Sequence, residues 1–169
     1  MPRSSLVLAV LAALFLTNGG AARGNAEPPR PLDNPDVALY LQPQLEQAML
    51  ADTNAERRAH GLPALTADPE LQTIARAYAR RMLEQHFIGH VDSKGGSPAD
   101  RLNQARYAFH HAAENLIYTT GDEAEAFAAL RASPGHRANI LAKPVTRIGV
   151  GAISSSVYST MYVEEFAGD

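Results

Sequence analysis

The six histidines of this sequence are the side chains best suited to chemistry, and the chain contains no cysteine. Thiolate nucleophiles, disulfides and cysteine-ligated metals are therefore excluded. Any metal site must combine imidazole nitrogens with carboxylate oxygens, a donor set that suits zinc. The histidines are His60, His86, His90, His110, His111 and His136.

The segment SPGHRANIL, residues 133–141, places one histidine at the start of a short predicted helix. Serine can accept hydrogen bonds from free backbone N–H groups, and proline fits the first helical position. His136 then falls in the first turn. A Ser133–His136–Glu114 triad is disfavoured, because the cap would occupy the Ser133 hydroxyl and the GxSxG nucleophile elbow is absent.

Two further histidine patterns fail as metal motifs. His86 and His90 are spaced i, i+4, but Gly89 is expected to end the helix between them, so a helical metal pair is disfavoured and His86 is expected at the surface. The segment HHAAEN, residues 110–115, is neither HExxH nor HxxEH. Glu114 stands out instead, because it opens an apolar strand where a carboxylate is costly to bury unless it is paired.

Capping signals and apolar spacing predict three longer helices. The first runs from Pro43 to Gly61, a left-handed cap. The second, DPELQTIARAYARRML, is capped by Asp68 and has one apolar face. The third, TGDEAEAFAALRA, opens with a Thr120–Glu123 capping box. Two short helices begin at the Ser-Pro pairs of SPADRLNQA and SPGHRANIL.

The strand signals lie mainly near the C-terminus. ENLIYT is predicted as a strand, and RIGVGAI and VYSTMYVEEF as a closing hairpin joined by a serine-rich turn at residues 154–156. Helices first and strands last predict an α+β fold with helices packed on a small antiparallel sheet. The GVGA glycines have no accompanying GxGxxG or Walker pattern, so no nucleotide-binding loop is indicated.

The N-terminal composition predicts export. A basic residue precedes the apolar run LVLAVLAALFL, which is too short to span a bilayer and is typical of a signal peptide cleaved near Ala22. Residues 1–22 are therefore predicted as a signal peptide, residues 23–42 as a proline-rich linker and residues 43–169 as one domain. An uncleaved anchor is the alternative. We expect a secreted or periplasmic protein with no stable membrane span after cleavage.

Six segments, in order, resemble the CAP superfamily of cysteine-rich secretory proteins, antigen 5 and pathogenesis-related proteins. The resemblance is to the bacterial, SCP-like branch, covers residues 45–166 and implies a three-layer α-β-α sandwich. The segments are NAERRAHGLPAL, DPELQTIARAYARRM, HFIGH, ENL, SPGHRANIL and IGVG.

The same resemblance implies a central cavity lined by two histidines and usually two acids. Position by position, the histidines are His90 and His136, and one acid is Glu114. The second acidic position falls at Ser133, where this chain departs from the family pattern. His90, His136 and Glu114 are therefore the candidate ligands of zinc or another divalent cation, with Ser133 as a further cavity residue.

The favoured hypothesis is a non-enzymatic binding module whose cavity holds a divalent cation or a small ligand; the resemblance also allows a lipid, a sterol or a protein partner. A polar pocket without metal, organised by Glu114, has equal weight. A zinc-dependent hydrolase is the alternative, weakened because Glu114 cannot be both third ligand and general base. A further alternative is a partner-binding or inhibitory surface. The formal net charge of −3 gives no basic footprint for nucleic acid.

Overall fold

The computed structural model describes residues 38–155 and 159–169 in full, and only the backbone of three short strands before them. These strands are β1 (Val7–Ala9), β2 (Leu16–Thr17) and β3 (Arg30–Pro31). The elements that follow are β4 (Leu39–Leu41), α1 (Pro43–Ala59), β5 (Thr66–Ala67), α2 (Pro69–Glu84), β6 (Phe87–Ile88), α3 (Pro98–Gln104), β7 (His111–Thr119), α4 (Glu123–Ala132), α5 (Pro134–Ile140), β8 (Arg147–Ser155) and β9 (Ser159–Gly168).

Local capping chemistry sets most of the helix ends as predicted. Gly61 follows α1 with a φ of 69°, which confirms the left-handed cap. Asp68 accepts hydrogen bonds from the N–H groups of Glu70 and Leu71 at the start of α2. At the start of α3, Ser97 forms a capping box with the residue three positions on.

Two predicted caps differ in the structure. The Thr120–Glu123 capping box is wrong, because α4 begins at Glu123 and its N-cap is Asp122, whose side chain accepts from Glu125 N. The preceding residues form a turn instead, in which Gly121 N donates to a threonine hydroxyl. Ser133 occupies the N-cap position of α5, but its side chain makes no capping hydrogen bond.

The main sheet has the strand order β1-β7-β9-β8-β4, with β2 also paired to β7 and β5 to β8. The β8–β9 hairpin is antiparallel as predicted, and β7 pairs with β9 along its whole length. The β5–β8 pair is parallel, so the sheet is mainly antiparallel. The hairpin turn includes residues outside the described part of the chain.

Alternating side chains of the sheet fill two separate cores, which makes the fold a three-layer α-β-α sandwich. Leu116, Val163 and Ile153 pack with α2 on one face. The residues next to them in sequence, such as Ile117 and Tyr162, pack with α1, α4 and α5 on the other face. Because strand side chains alternate between faces, both sides of β7, β8 and β9 are buried.

Glycine lets α2 approach β8 closely. A Cβ atom on Gly149 would lie 2.1 Å from the carbonyl carbon of Leu71, and one on Gly151 would lie 2.5 Å from that of Ala75. The GVGA glycines, for which the sequence indicated no nucleotide-binding loop, therefore have a packing role between helix and sheet.

Strand pairing begins before the predicted domain start, because β4 lies within the proposed linker and pairs with β8. The predicted signal peptide and cleavage site lie largely outside the described residues, and the division into three segments stays a prediction. Among the helices of the described part, none has both the length and the apolar character needed to cross a bilayer.

Candidate functional site

Two of the predicted site residues, His90 and Glu114, lie in direct contact. His90 comes from the loop after β6, and Glu114 projects from β7 on the face covered by α2 and α3. His90 Nδ1 lies 2.7 Å from Glu114 Oε1. The histidine is 3% exposed and the glutamate 0%. The contact fixes the orientation of the ring, and it leaves Nε2 buried without a hydrogen bond to any described residue.

Arg101 of α3 keeps the buried Glu114 charged. Its Nη2 donates to Glu114 Oε2, and its Nη1 donates to the carbonyl oxygen of His90 at 3.1 Å. The guanidinium lies over the ring of Tyr78, 3.3 Å from its centre. Burial alone would raise the pKa of Glu114, but the charge of Arg101 and the contact with His90 hold that pKa below its ordinary value.

A second buried acid, Glu165, faces Glu114 across the β7–β9 pair. Its Oε1 lies 3.9 Å from Arg101 Nε. Burial and the neighbouring Glu114 charge raise the pKa of Glu165 well above its ordinary value. Of the two acids, Glu114 is therefore the one whose charged form is favoured.

The opposite face of the sheet carries a network built on Asn115 and Glu164. Asn115 Nδ2 donates to Glu164 Oε2 at 2.9 Å and to the carbonyl oxygen of His136 at 3.2 Å. Asn139 Nδ2 donates to Asn115 Oδ1 at 2.9 Å and to the carbonyl oxygen of Glu114 at 3.1 Å. Helix α5 is thereby tied to β7 beside Glu114.

His136 is fully buried on α5, a helix of the layer opposite α3. Its main-chain carbonyl accepts from Asn115, the neighbour of Glu114 on β7, and Asn139 of the same helix donates to the carbonyl oxygen of Glu114. Ser133 is 7% exposed at the α4–α5 junction, and its Oγ makes no hydrogen bond to a described residue. The expectation that capping occupies this hydroxyl is wrong, because the residue caps by backbone geometry alone.

The other histidine pattern is explained by the end of a helix. Helix α2 ends at Glu84, before both members of the His86/His90 pair, so these residues do not share a helical face. His86 has a φ of 55° and is half-buried.

Arg137, expected to be structural or at the surface, pairs with Glu56 at 3.2 Å on the outside of the molecule.

The donor atoms give a test of whether a metal fits. Both oxygens of Glu114 are engaged, one by His90 and one by Arg101. Within residues 38–155 and 159–169, no group of three His, Asp or Glu side chains is arranged to hold a metal. The described residues thus present His90 Nε2, oriented by a carboxylate, as a donor atom. They do not assemble the three ligands of a catalytic zinc, and the ligand set of His90, Glu114 and His136 stays a prediction.

Sequence reasoning missed Arg101, Tyr78, Asn139 and the acid pair at residues 164–165. A signal existed for the acids: VEEF puts two consecutive carboxylates in a strand predicted to close the sheet. In a strand with both faces covered, one of them must be buried on each face. Arg101 carried no comparable signal, because its segment has the pattern of an ordinary short helix.

The family described as the cysteine-rich secretory protein family has a model that matches residues 50–166. The uncharacterized protein YkwD of Bacillus subtilis strain 168 is 32% identical over 123 residues, which are 73% of this chain and 47% of that protein. The uncharacterized membrane protein YlbC of the same strain is 31% identical over 126 residues, 75% of this chain and 36% of that protein. The chain spans less than half the length of these relatives.

Two solved structures share the sandwich. An extracellular protein containing a SCP domain from Bacillus anthracis has a TM-score of 0.70 and 26% identity, over 76% of this chain and 41% of that one. An outer surface protein from Borrelia burgdorferi has a TM-score of 0.73 over 79% of this chain and 98% of that one; at 19% identity it shows the fold alone. With the family match across most of the sandwich, these likenesses identify the chain as a bacterial member of the cysteine-rich secretory protein (CAP) family.

Proposed function

We propose that this CAP protein is a secreted or periplasmic, non-enzymatic binding module in which His90 is the ligand-contacting residue. The location is supported by the extracellular and outer-surface proteins that share the fold. The site is proposed to take a divalent cation or a polar group of a small ligand. His136 is proposed to contribute the second imidazole, and Ser133 to border the cavity.

The observation that carries this proposal is the state of the His90 ring. Glu114 engages Nδ1 at 2.7 Å, while Nε2 is buried and makes no hydrogen bond to a described residue. A carboxylate at Nδ1 favours the tautomer that carries its proton there, so Nε2 presents a lone pair. Such an atom can ligate a cation or accept a hydrogen bond from a ligand. Glu114 then orients the ring and does not itself ligate.

Zinc binding tests the proposal with Zn²⁺ alone as the probe. Titration calorimetry on the full chain is expected to show binding that H90A abolishes and H136A weakens. E114Q should lower the affinity by roughly 10–100-fold, the usual effect of losing an orienting carboxylate. H110A is the matched control, because His110 is exposed and lies before the start of β7, and it should bind as the wild type does.

Equal zinc binding by the wild type and H90A would contradict the cation form of the proposal. The small-ligand form is tested on the same samples by ligand-detected NMR with imidazole-binding fragments, where H90A should lose the signals that H110A keeps. Peptide and ester hydrolysis are measured alongside. Turnover that disappears in H90A would favour a zinc-dependent hydrolase over a binding module.

A further inference from the structure

Glu164 is a carboxyl group enclosed on the face of the sheet opposite Glu114. It is 0% exposed. Thr53 Oγ1, from α1, donates to its Oε1 at 2.5 Å, and Asn115 Nδ2, from β7, donates to its Oε2 at 2.9 Å. Both partners are uncharged. Glu164 thus sits in a buried network with no cation among these hydrogen-bond partners, unlike Glu114, which has Arg101.

Glu164 also interacts with an acidic group on a neighbouring helix. Glu123, the first residue of α4, interacts electrostatically with Glu164 and with Asp52 of α1 and Asp122. On the sheet itself, Glu164 is flanked by Val150 of β8, which is apolar, and by Asn115 of β7. From α5, the Asn115 amide meets the main-chain carbonyl of His136. An ionised Glu164 is therefore repelled by Glu123 of α4, and neither of its two hydrogen-bond donors carries a charge that would neutralise it.

We propose that Glu164 is a proton-operated switch: uncharged, it holds α1 and α5 against β7 through Thr53 and Asn115, and ionised, it loosens that contact. The uncharged form fits the network, because a carboxylic acid can share a hydrogen bond with the hydroxyl and accept one from the amide. This inference is independent of which ligand His90 contacts.

The acid strength of the group agrees with this role. Burial raises the pKa of Glu164 to about 7, against an ordinary value of 4.5. Burial, with the charges of Asp52, Asp122 and Glu164, raises the pKa of Glu123 to about 7 as well. A raised pKa means that the folded protein binds the proton more tightly than the unfolded chain. The stabilisation is complete below pH 4.5 and is lost as the pH rises through about 7.

Two asparagines connect Glu164 to the candidate site by hydrogen bonds. Asn115 contacts both Glu164 and the carbonyl oxygen of His136, and Asn139 joins Asn115 to the carbonyl oxygen of Glu114. A proton gained or lost at Glu164 therefore changes the hydrogen bonds that hold the His136 turn of α5 against β7. The protonation state of one buried acid thereby sets how rigidly the second imidazole is presented.

The side-chain amide of Asn115 is the direct reporter. Its ¹⁵N and ¹H shifts, followed by NMR on the full chain from about pH 5.5 to about 8.5, are expected to titrate with a midpoint near 7. E164Q should remove this titration, because glutamine reproduces the uncharged shape and both hydrogen bonds. E84Q is the matched control: Glu84 is a surface carboxylate on α2, and its substitution should leave the midpoint unchanged.

Stability gives a second readout. The urea midpoint of E164Q should exceed that of the wild type more at high pH than at low pH. If E164Q folds poorly, E123Q keeps the proposal testable, because an Asn115 titration that persists in E123Q does not belong to Glu123. Two outcomes would overturn the proposal. Asn115 shifts that do not move over this range would show that Glu164 does not titrate there. A titration that persists in E164Q but vanishes in E123Q would assign the proton to Glu123.

Discussion

At the scale of single residues, Arg101 decides whether a fully buried carboxylate can stay charged. Glu114 has no exposed surface, and Glu165 faces it across the strand pair. The guanidinium of Arg101 donates a hydrogen bond to Glu114 and lies 3.9 Å from Glu165. It also donates to the main-chain carbonyl of His90. The orientation of His90 therefore depends on Glu114 of β7 and on Arg101 of α3. It is a property of the cluster and not of the histidine alone.

R101M removes this cation while keeping much of the apolar stem. It leaves Glu114 buried without its positive partner, which costs about 3–5 kcal/mol of unfolding free energy at neutral pH. The loss should shrink at low pH, where Glu114 can take up a proton. Urea unfolding followed by circular dichroism measures the change.

The matched control for that substitution is R80M. Arg80 is 44% exposed and lies 3.7 Å from Glu84 in a surface ion pair, so its loss should cost about 0–1 kcal/mol. If R101M were no more destabilising than R80M, the claim that Arg101 holds Glu114 ionised would be wrong.

At the scale of elements, the Ser-Pro start of α5 works through proline and backbone geometry. Ser133 makes no capping hydrogen bond, whereas Asp122 at the start of α4 accepts one from Glu125 N at 2.9 Å. S133A should therefore change the unfolding free energy by less than about 0.5 kcal/mol, while D122A should cost about 1 kcal/mol. Thermal unfolding of the two variants gives the comparison. Equal losses would show that the Ser133 hydroxyl contributes a contact of its own.

Sequence reasoning predicted elements well where the cause was local. The caps at Asp68 and Gly61 depend on one or two neighbouring residues, and both are confirmed. The choice of Thr120 as the α4 cap failed because Asp122 competes for the same role two residues later, and motif spacing alone does not rank the two.

The candidate site was predictable only in part, for a related reason. The resemblance supplied His90 and Glu114, and the structure places them in contact. The charge partner Arg101 could not be found, since its role depends on where α3 packs against β7, a contact between separate elements that no local pattern encodes. The ligands of any cation stay a prediction.

At the scale of the whole molecule, the buried acids on the two faces of the sheet have different hydrogen-bond partners and pKa shifts of opposite sign. On the α2–α3 face, Arg101 neutralises Glu114 and lowers its pKa. On the α1–α4–α5 face, Glu164 accepts from two neutral donors and keeps a raised pKa. The sandwich thus places an acid paired with a cation on one face and an acid held by neutral donors on the other, and strands β7 and β9 contribute to both.

This separation predicts the pH dependence of stability. Burial and neighbouring charges raise the pKa values of Glu123 and Glu164 to about 7, so their stabilisation is lost as the pH rises from 4.5 through 7. Hydrogen bonds to Asp68 and Asp92 outweigh their burial and lower the pKa of each below 3.8, so their stabilisation is lost as the pH falls through those lowered values. The unfolding free energy should therefore be greatest near the ordinary pKa values of these groups, at about pH 4 to 4.5.

Urea unfolding of the full chain at intervals from about pH 3 to about pH 9 measures this profile. The double variant E123Q/E164Q should make the alkaline side shallower, where the wild type loses about 1–3 kcal/mol, and leave the acid side unchanged. The slope that remains belongs to Glu165, whose pKa is also raised by burial. A wild-type maximum at about pH 8, or a double variant with the same alkaline slope as the wild type, would contradict the assignment of the raised pKa values to these two acids. The acid side serves as the internal control, because it depends on acids with lowered pKa values, such as Asp68 and Asp92, that the variant does not alter.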